Sequence, residues 1–123
     1  MQVGYSGLQP STRGKMNPMA VDFLFDSGGS WIAFRSGRFV FDTKGDWIGW
    51  LPWDDHDVVT TEGDYLGTIV NGNRFYYFVH HPYRGYPGYP GYPGYPGYPG
   101  YPGYAGYSPL PLGAQDIESL QEE

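Results

Sequence analysis

A short pattern of apolar and polar positions occurs twice in the middle of the chain and a third time in weaker form. Residues 25–34 (FDSGGSWIAF) align with residues 41–50 (FDTKGDWIGW), and residues 59–68 (VTTEGDYLGT) form the third copy. In each copy a β-prone stretch meets a polar cluster with glycine, and a second apolar stretch then begins with Trp or Tyr. Glycine supplies the positive φ that such a turn needs. The pattern therefore predicts one β-hairpin per copy, with no helix between the hairpins.

A fourth copy begins at residues 73–78 (NRFYYF) and then stops repeating. The sheet is predicted to end at Pro82, because proline cannot donate a hydrogen bond to a strand ladder. The missing strand is predicted to come from the segment around residues 3–8, which would close a ring. These boundaries predict a β-hairpin repeat domain over residues 20–82, preceded by a flexible arm at residues 1–19.

The repeat, written as aromatic-Asp-x-x-Gly-x-x-Ile-Gly-aromatic, resembles the bacterial four-fold beta flower proteins over about Asp22 to Phe78. The resemblance implies an all-β fold of short hairpins around a pseudo-four-fold axis, and it implies no recognised catalytic residues. The residue pattern agrees with three to four hairpins around a pseudo-symmetric axis. The side chains expected around their shared interior are Trp31, Ile32, Trp47, Ile48, Tyr65 and Leu66.

Residues 83–108 form a different region, a Gly-Tyr-Pro tail. Residues 85–108 contain six Gly-Tyr-Pro triplets, followed by Gly-Tyr-Ala and Gly-Tyr-Ser. Recurring proline opposes regular helices and ladders, and glycine raises the entropic cost of ordering. The predicted conformation is extended and polyproline-II-like, or disordered.

Three roles for this tail remain open. Regularly spaced tyrosines can act as a multivalent array that stacks on one another, on glycans or on partner proteins. Glycine at every third position also fits a collagen-like triple helix, and a passive tether is the third interpretation. The candidate binding residues are Tyr86, Tyr89, Tyr92, Tyr95, Tyr98, Tyr101, Tyr104 and Tyr107 in the tail, with Trp53 as an exposed ring of the domain.

The acidic C-terminal segment, residues 109–123, has Ile117 and Leu120 three positions apart, as on one face of a helix. Ten residues are too few for a stable isolated helix. The segment is predicted to be a frayed, solvating end, and the alternative is a peptide that folds on a partner.

Composition and charge narrow the choice of partners. Among 123 residues, 13 acidic and 7 basic side chains give a net charge of −6, so nucleic acid is not an expected partner. There is no cysteine, and therefore neither a disulfide nor a thiolate metal site. No apolar run predicts a signal peptide or a transmembrane segment, which favours a cytoplasmic protein.

Few residues form patterns that predict catalysis or metal binding. Residues 54–57 (DDHD) carry ligand-type side chains without the spacing of a calcium loop, so a solvated loop is expected there. His80 and His81 follow a strand end without a recognisable catalytic partner. Asp26 and Asp42 could form a carboxylate pair, although Asp at the start of a turn commonly bonds its own backbone. Neither a metal nor a cofactor is predicted.

The sequence thus favours a non-enzymatic structural or assembly protein, in which a β-repeat domain carries a tyrosine-rich association arm. This arm is expected to mediate self-association or to bind a protein partner. The alternative is a β module that binds a ligand or glycan, with the tail as a passive tether. A small hydrolase that uses Asp and His is the third hypothesis.

Overall fold

The fold is all-β in the computed structural model, which describes residues 21–117. The predicted flexible arm at residues 1–19 and the strand predicted around residues 3–8 lie outside the described residues. The eight strands are Asp22–Phe25 (β1), Trp31–Ser36 (β2), Phe39–Asp42 (β3), Trp47–Trp50 (β4), Asp57–Thr60 (β5), Tyr65–Val70 (β6), Arg74–Phe78 (β7) and Ala114–Asp116 (β8). No helix occurs in residues 21–117, and hence none that could cross a membrane.

Strands β1 to β7 form a closed barrel. Each strand pairs with the next in antiparallel orientation, and a parallel bridge between Phe25 of β1 and Arg74 of β7 closes the ring. The amide of Phe25 donates to Asn73 O at 2.8 Å at this junction. The Arg74 guanidinium reinforces it by donating to Asp26 O, also at 2.8 Å. The predicted all-β fold of repeated hairpins is confirmed.

The eighth strand comes from the C-terminal segment and completes a fourth hairpin. β8 pairs with β7 in antiparallel orientation. The amide of Val79 donates to Gly113 O at 3.0 Å, just as the amide of Asp26 donates to Ser30 O at 3.0 Å in the first hairpin. Residues 80–112 therefore replace the three turn residues, 27–29, of the first hairpin. The Gly-Tyr-Pro segment is an insertion within a hairpin. Of the C-terminal segment predicted to fray, residues 114–116 form an ordered strand, and residues 118–123 lie outside the described residues.

The interior of the barrel is filled by aliphatic side chains together with Phe75. Ile117, which follows β8, belongs to this core and is 8% exposed, so the C-terminal segment contributes to it directly. Of the side chains expected inside, Ile32 is buried in the core, and Ile48 and Leu66 pack against it. Trp31, Trp47 and Tyr65 are half-buried and lie outside this core cluster. The buried cluster consists of Leu24, Ile32, Ala33, Val40, Leu51, Val58, Ile69, Phe75 and Ile117.

The repeated aspartates organise the hairpin turns. Asp26 Oδ1 accepts a hydrogen bond from the amide of Ser30 at 2.9 Å. Asp42 Oδ1 accepts from the amides of Lys44 and Asp46 at 2.9 and 3.0 Å. In the third hairpin the hydroxyl of Thr60 takes the same position. The predicted turn role of Asp26 and Asp42 is thereby confirmed.

Candidate functional site

The most distinctive surface of the protein is formed by residues 85–108, here called the belt. The belt contains neither helix nor strand and lies against the turns of the hairpins. It leaves the fourth hairpin after β7, contacts the third, second and first hairpins in that order, and returns to the fourth hairpin at β8. The belt thus runs once around one rim of the barrel.

The backbone of the belt has an unusual regularity. All eight of its glycines have positive φ, between +83° and +96°. Polyproline II has φ near −75°, so the belt differs from the predicted conformation at every third residue. Residues other than glycine rarely adopt such φ values. Glycine at every third position is therefore required by the backbone shape of a single chain, without any need for a triple helix.

Two tryptophans of the barrel are each held between two tyrosines of the belt. The centroid of Trp47 lies 5.7 Å from those of both Tyr89 and Tyr92. Trp31 lies 5.9 and 6.0 Å from Tyr98 and Tyr101. Such distances are those of favourable aromatic pairs. Each indole N–H donates to a carbonyl of its own strand, at 2.7 Å for Trp31 and 2.8 Å for Trp47, which fixes the ring on the outside of the barrel.

The belt also packs directly on the glycine of each hairpin turn. A methyl group on any of these glycines would lie only 2.6 to 2.8 Å from a tyrosine ring of the belt, so no side chain fits between turn and belt. These contacts pair Gly63 with Tyr86, Gly45 with Tyr95, and Gly29 with Tyr104.

The contacts give the belt a period of nine residues. Tyr86, Tyr95 and Tyr104 lie nine positions apart, as do the two tyrosine pairs that hold Trp47 and Trp31. One hairpin of the barrel therefore corresponds to three triplets of the belt. The period of three belongs to the sequence of the belt alone, whereas the period of nine is imposed by the barrel on which it lies.

Hydrogen bonds fix the last part of the belt. The amide of Ala105 donates to Gly29 O at 2.9 Å, and the amide of Ser108 donates to Ser27 O at 2.8 Å. These residues stand where the preceding triplets have proline, which has no N–H to donate. The departure from Gly-Tyr-Pro in the last two triplets therefore has a structural reason: both amides are needed to hold the belt on the first hairpin.

The tyrosines predicted as binding residues all lie on the belt and keep much of their surface in solvent. Their exposed fractions range from 58% to 73%. One side of the belt thus faces the barrel, and the other presents a row of tyrosines. Trp53 lies apart from this row and is half-buried, because the Arg84 guanidinium covers its ring at 4.1 Å from the centroid. The expectation of an exposed Trp53 ring is therefore wrong.

A polar cluster lies where the chain leaves β7 and approaches the belt. Asp57 Oδ2 is 2.9 Å from His81 Nε2 and 2.7 Å from Arg84 Nη1, and the same nitrogen of Arg84 donates to Asp55 Oδ2 at 2.6 Å. The sequence predicted a solvated loop and an unpartnered histidine here. The partners are 24 to 29 positions apart, and no local motif connects them. Pairing of β5, β6 and β7 brings them together.

A chain of hydroxyl groups connects this cluster to the barrel. The amide of Phe78 donates to the Tyr65 hydroxyl at 3.3 Å, so the hydroxyl can direct its own proton to Thr68 Oγ1, 2.7 Å away. Thr68 in turn donates to Asp57 Oδ1 at 2.9 Å. The His81 ring stacks on the Tyr65 ring, with centroids 3.8 Å apart. Burial raises the pKa of Tyr65, which keeps this hydroxyl protonated.

The cluster predicts a loss of stability in acid. Burial tends to raise the pKa of Asp57, but hydrogen bonds from His81, Arg84 and Thr68 outweigh it, and the pKa falls below its ordinary value of 3.8. A lowered pKa in the folded state stabilises the fold above the unfolded-state pKa and loses that contribution as the pH falls through the folded-state value. We expect Asp57→Asn to flatten the fall in unfolding free energy below about pH 4, measured by urea denaturation at successive pH values. An unchanged slope would contradict the role of Asp57.

Two clefts flank His81 and Pro82, with volumes of about 160 and 490 Å³. Within residues 21–117, no group of three or more His, Cys, Asp or Glu side chains is placed to hold a metal ion. Comparison with protein-family models, with curated proteins and with solved structures finds no match. The belt and the barrel surface beneath it are therefore the candidate functional site on structural grounds.

Proposed function

We propose that this protein is a non-enzymatic structural or assembly module, in which the barrel displays the belt and the outer side of the belt associates with other copies of the protein. The observation that carries the proposal is the nine-residue register, which holds eight tyrosines on one rim with 58% to 73% of their surface exposed. Exposed apolar surface of this extent is typical of interaction sites. Each tyrosine contact is weak, and an array of eight gains strength by acting together.

The arrangement of the hairpins supports the proposed kinship with the four-fold beta flower proteins. Four hairpins follow one another around the barrel, the fourth formed by β7 and β8. That kinship would supply a scaffold and no catalytic residues. The proposal of a non-enzymatic role is further supported by the polar cluster, where the Asp57 carboxylate is already hydrogen-bonded to His81, Arg84 and Thr68.

The conformation of the belt favours the tyrosine array over the other two interpretations of this segment. A collagen-like helix needs polyproline-II-like chains with glycine at the shared axis. In the belt, glycine has positive φ and the tyrosines contact the barrel of the same chain. A passive tether would need neither a nine-residue register nor the amides of Ala105 and Ser108.

Light scattering over a concentration series tests the proposal on the full chain. We expect the apparent mass to rise above the 13.8 kDa of one chain. A variant with all eight belt tyrosines replaced by Ser should stay at the mass of one chain, because the stacking surface is gone while β8 is retained. Far-UV circular dichroism of both proteins establishes that the barrel is folded.

A double variant, Trp31→Leu with Trp47→Leu, provides the matched control. It keeps all eight tyrosines and removes the rings that hold the inner side of the belt. It should still rise above the mass of one chain, because all eight tyrosines that form the outer side of the belt remain. A natural chain that keeps the mass of one copy up to about 1 mM, the effective concentration scale of linked weak sites, would contradict the proposal.

The larger cleft favours a second candidate function, the binding of a small ligand or glycan. Apolar Phe78 and Leu112 lie on its wall together with Asp57 and Thr68, and the Leu112 side chain is fully exposed. A soluble oligosaccharide that raises the melting temperature of the full chain would support this function. If Leu112→Ser abolishes the shift and the eight-tyrosine variant retains it, the cleft is the site.

A further inference from the structure

We infer that the rim of the barrel is a peptide-recognition groove, specific for Gly-Tyr-Pro repeats, and that it can bind the repeat of a second copy in place of its own belt. The groove consists of Trp31, Trp47 and the glycine turns of the first three hairpins. The inference concerns the inner side of the belt and stands independently of association through the outer side.

The contacts that hold the belt are made with the surface of the barrel. Its backbone hydrogen bonds among the described residues run to the barrel, from Ala105 to Gly29 and from Ser108 to Ser27. Arg74 and Lys44 add contacts from the barrel side, through Ala105 O and the Tyr95 hydroxyl. Every one of these partners is present on a second copy. The same peptide can therefore make the same contacts on another molecule.

The groove selects its ligand by spacing. Two tyrosines three positions apart are needed to enclose one indole ring. Glycine must occupy every third position, because a positive φ recurs there. A further tyrosine must follow to cover the next turn glycine, nine positions after its equivalent. The recognition unit is thus a nine-residue peptide of three triplets, and the rim repeats the unit. Aromatic grooves recognise proline-rich peptides in a comparable way.

The connection of the belt to the barrel permits exchange. Residues 80–84 join the belt to β7, and beyond the belt the only described strand is β8. Residues 80–117 can therefore leave as one unit and dock on a second copy, as in domain swapping. The covalent link raises the local concentration of the belt to the millimolar range, so the chain's own belt competes strongly. Binding of a second copy's belt should accordingly be seen when the contacts of the chain's own belt with the barrel are weakened.

A direct test uses a synthetic peptide of residues 85–108 and the full-length variant with its eight belt tyrosines replaced by Ser. In this variant the tyrosine rings no longer cover Trp31, Trp47 and the turn glycines, so only the backbone contacts near Ala105 and Ser108 still hold the belt on the rim. β8 still completes the fourth hairpin. We expect saturable binding of one peptide per chain by isothermal titration calorimetry, with a change in tryptophan fluorescence. The natural chain should bind at least ten times more weakly, because its own belt occupies the groove.

Two controls make the result specific. Adding Trp31→Leu and Trp47→Leu to the eight-tyrosine variant should weaken binding at least ten-fold. A peptide of the same composition with the glycine period broken should likewise fail to bind. Binding of the scrambled peptide with equal strength, or no binding of the natural peptide to the free groove, would overturn the inference. If the eight-tyrosine variant does not fold, the chain with residues 80–112 replaced by the turn Ser-Gly-Gly offers the same groove, and the same outcomes decide.

The two proposals have separable failures. Peptide binding to the free groove without any association of the natural chain would leave the groove established and remove the assembly function. Association of the natural chain without peptide binding would do the reverse.

Discussion

Ending the chain at Arg84 should unfold the barrel, whereas replacing residues 80–112 by Ser-Gly-Gly together with Val79→Asp should leave it folded. The replacement copies the first hairpin turn, Asp26 to Gly29, and joins β7 to β8 directly. The truncation removes β8 and Ile117. Both chains lack the belt and only one keeps β8, so their comparison isolates the contribution of β8 to stability. In the sequence, both the belt and β8 lie beyond the predicted domain boundary.

The physical reason is the part that β8 plays in the core. Full burial of an aliphatic side chain such as Ile117 contributes about 1.5–3 kcal/mol, and Ile117 is 8% exposed. Its loss would uncover the space above Gly67 and Phe75, and β7 would lose its ladder partner from Tyr76 to Phe78. Small domains are stable by only about 5–15 kcal/mol in total. Losing the strand and its core residue together removes a large share of that.

The polar cluster provides the control within the same pair of chains. The truncated chain keeps His81 and Arg84 beside Asp57, whereas the shortened hairpin loses both. If the polar cluster rather than β8 stabilised the fold, the truncated chain would stay folded and the chain with the shortened hairpin would unfold. Cooperative thermal unfolding, followed by far-UV circular dichroism, distinguishes them. A truncated chain that melts cooperatively at the temperature of the full chain would show that β8 is dispensable.

Gly29→Ala should destabilise the protein more than Gly72→Ala and should release the belt. Both glycines have positive φ, +95° and +80°, so both substitutions carry backbone strain of about 1–3 kcal/mol. A methyl group on Gly72 meets nothing within 4 Å. On Gly29 it would lie 2.6 Å from the backbone nitrogen and oxygen of Gly106, which cannot move without displacing the belt.

Displacing the belt at this point breaks the hydrogen bonds from Ala105 to Gly29 and from Ser108 to Ser27. At about 0.5–1.5 kcal/mol each, their loss makes Gly29→Ala less stable than Gly72→Ala by about 1–3 kcal/mol in urea denaturation. Chymotrypsin gives the second readout. The bonds after Tyr104 and Tyr107 are the two belt tyrosine bonds not followed by proline, and they should be cut faster in Gly29→Ala alone. Equal stability and equal cleavage of the two variants would mean that the belt does not rest on this turn.

The first three hairpins could be predicted because each turn is determined by residues close together in the sequence. Gly29, Gly45 and Gly63 each have φ between +91° and +95°, and each follows a residue whose side chain caps the turn. Such information lies within five consecutive residues. The strands on either side needed only alternating apolar positions, which the repeated segments contain.

The fourth hairpin could not be predicted in the same way. Its second strand, Ala114–Asp116, has three residues and no aromatic side chain. The turn directly before it has Gly113 at a φ of +83° but lacks the Asp or Thr that caps the other three turns. A hairpin normally reveals itself through a short connection, and here residues 80–112 intervene. Only pairing with β7 and burial of Ile117 define the strand, and both are long-range effects that a local pattern does not contain.

The site was partly visible in the sequence. The sequence shows the eight tyrosines as a regular array, yet a period of three residues cannot reveal a period of nine that is set by another part of the chain. The one local signal was the replacement of proline by Ala105 and Ser108, where the belt donates its amides. The pairing of Asp57 with His81 had no local signal, since strand topology alone brings them together.

The closed course of the belt sets its length. Low-complexity tracts usually tolerate the gain or loss of whole repeats, because no other part of the structure depends on their length. Here both ends are fixed, at β7 and β8, and the rim between them has a fixed circumference. One extra triplet would shift the tyrosines by a third of a hairpin and leave the last two amides opposite the wrong carbonyls. The number of Gly-Tyr-Pro triplets is therefore set by the circumference of the barrel rim, even though the sequence of the tract alone places no limit on its length.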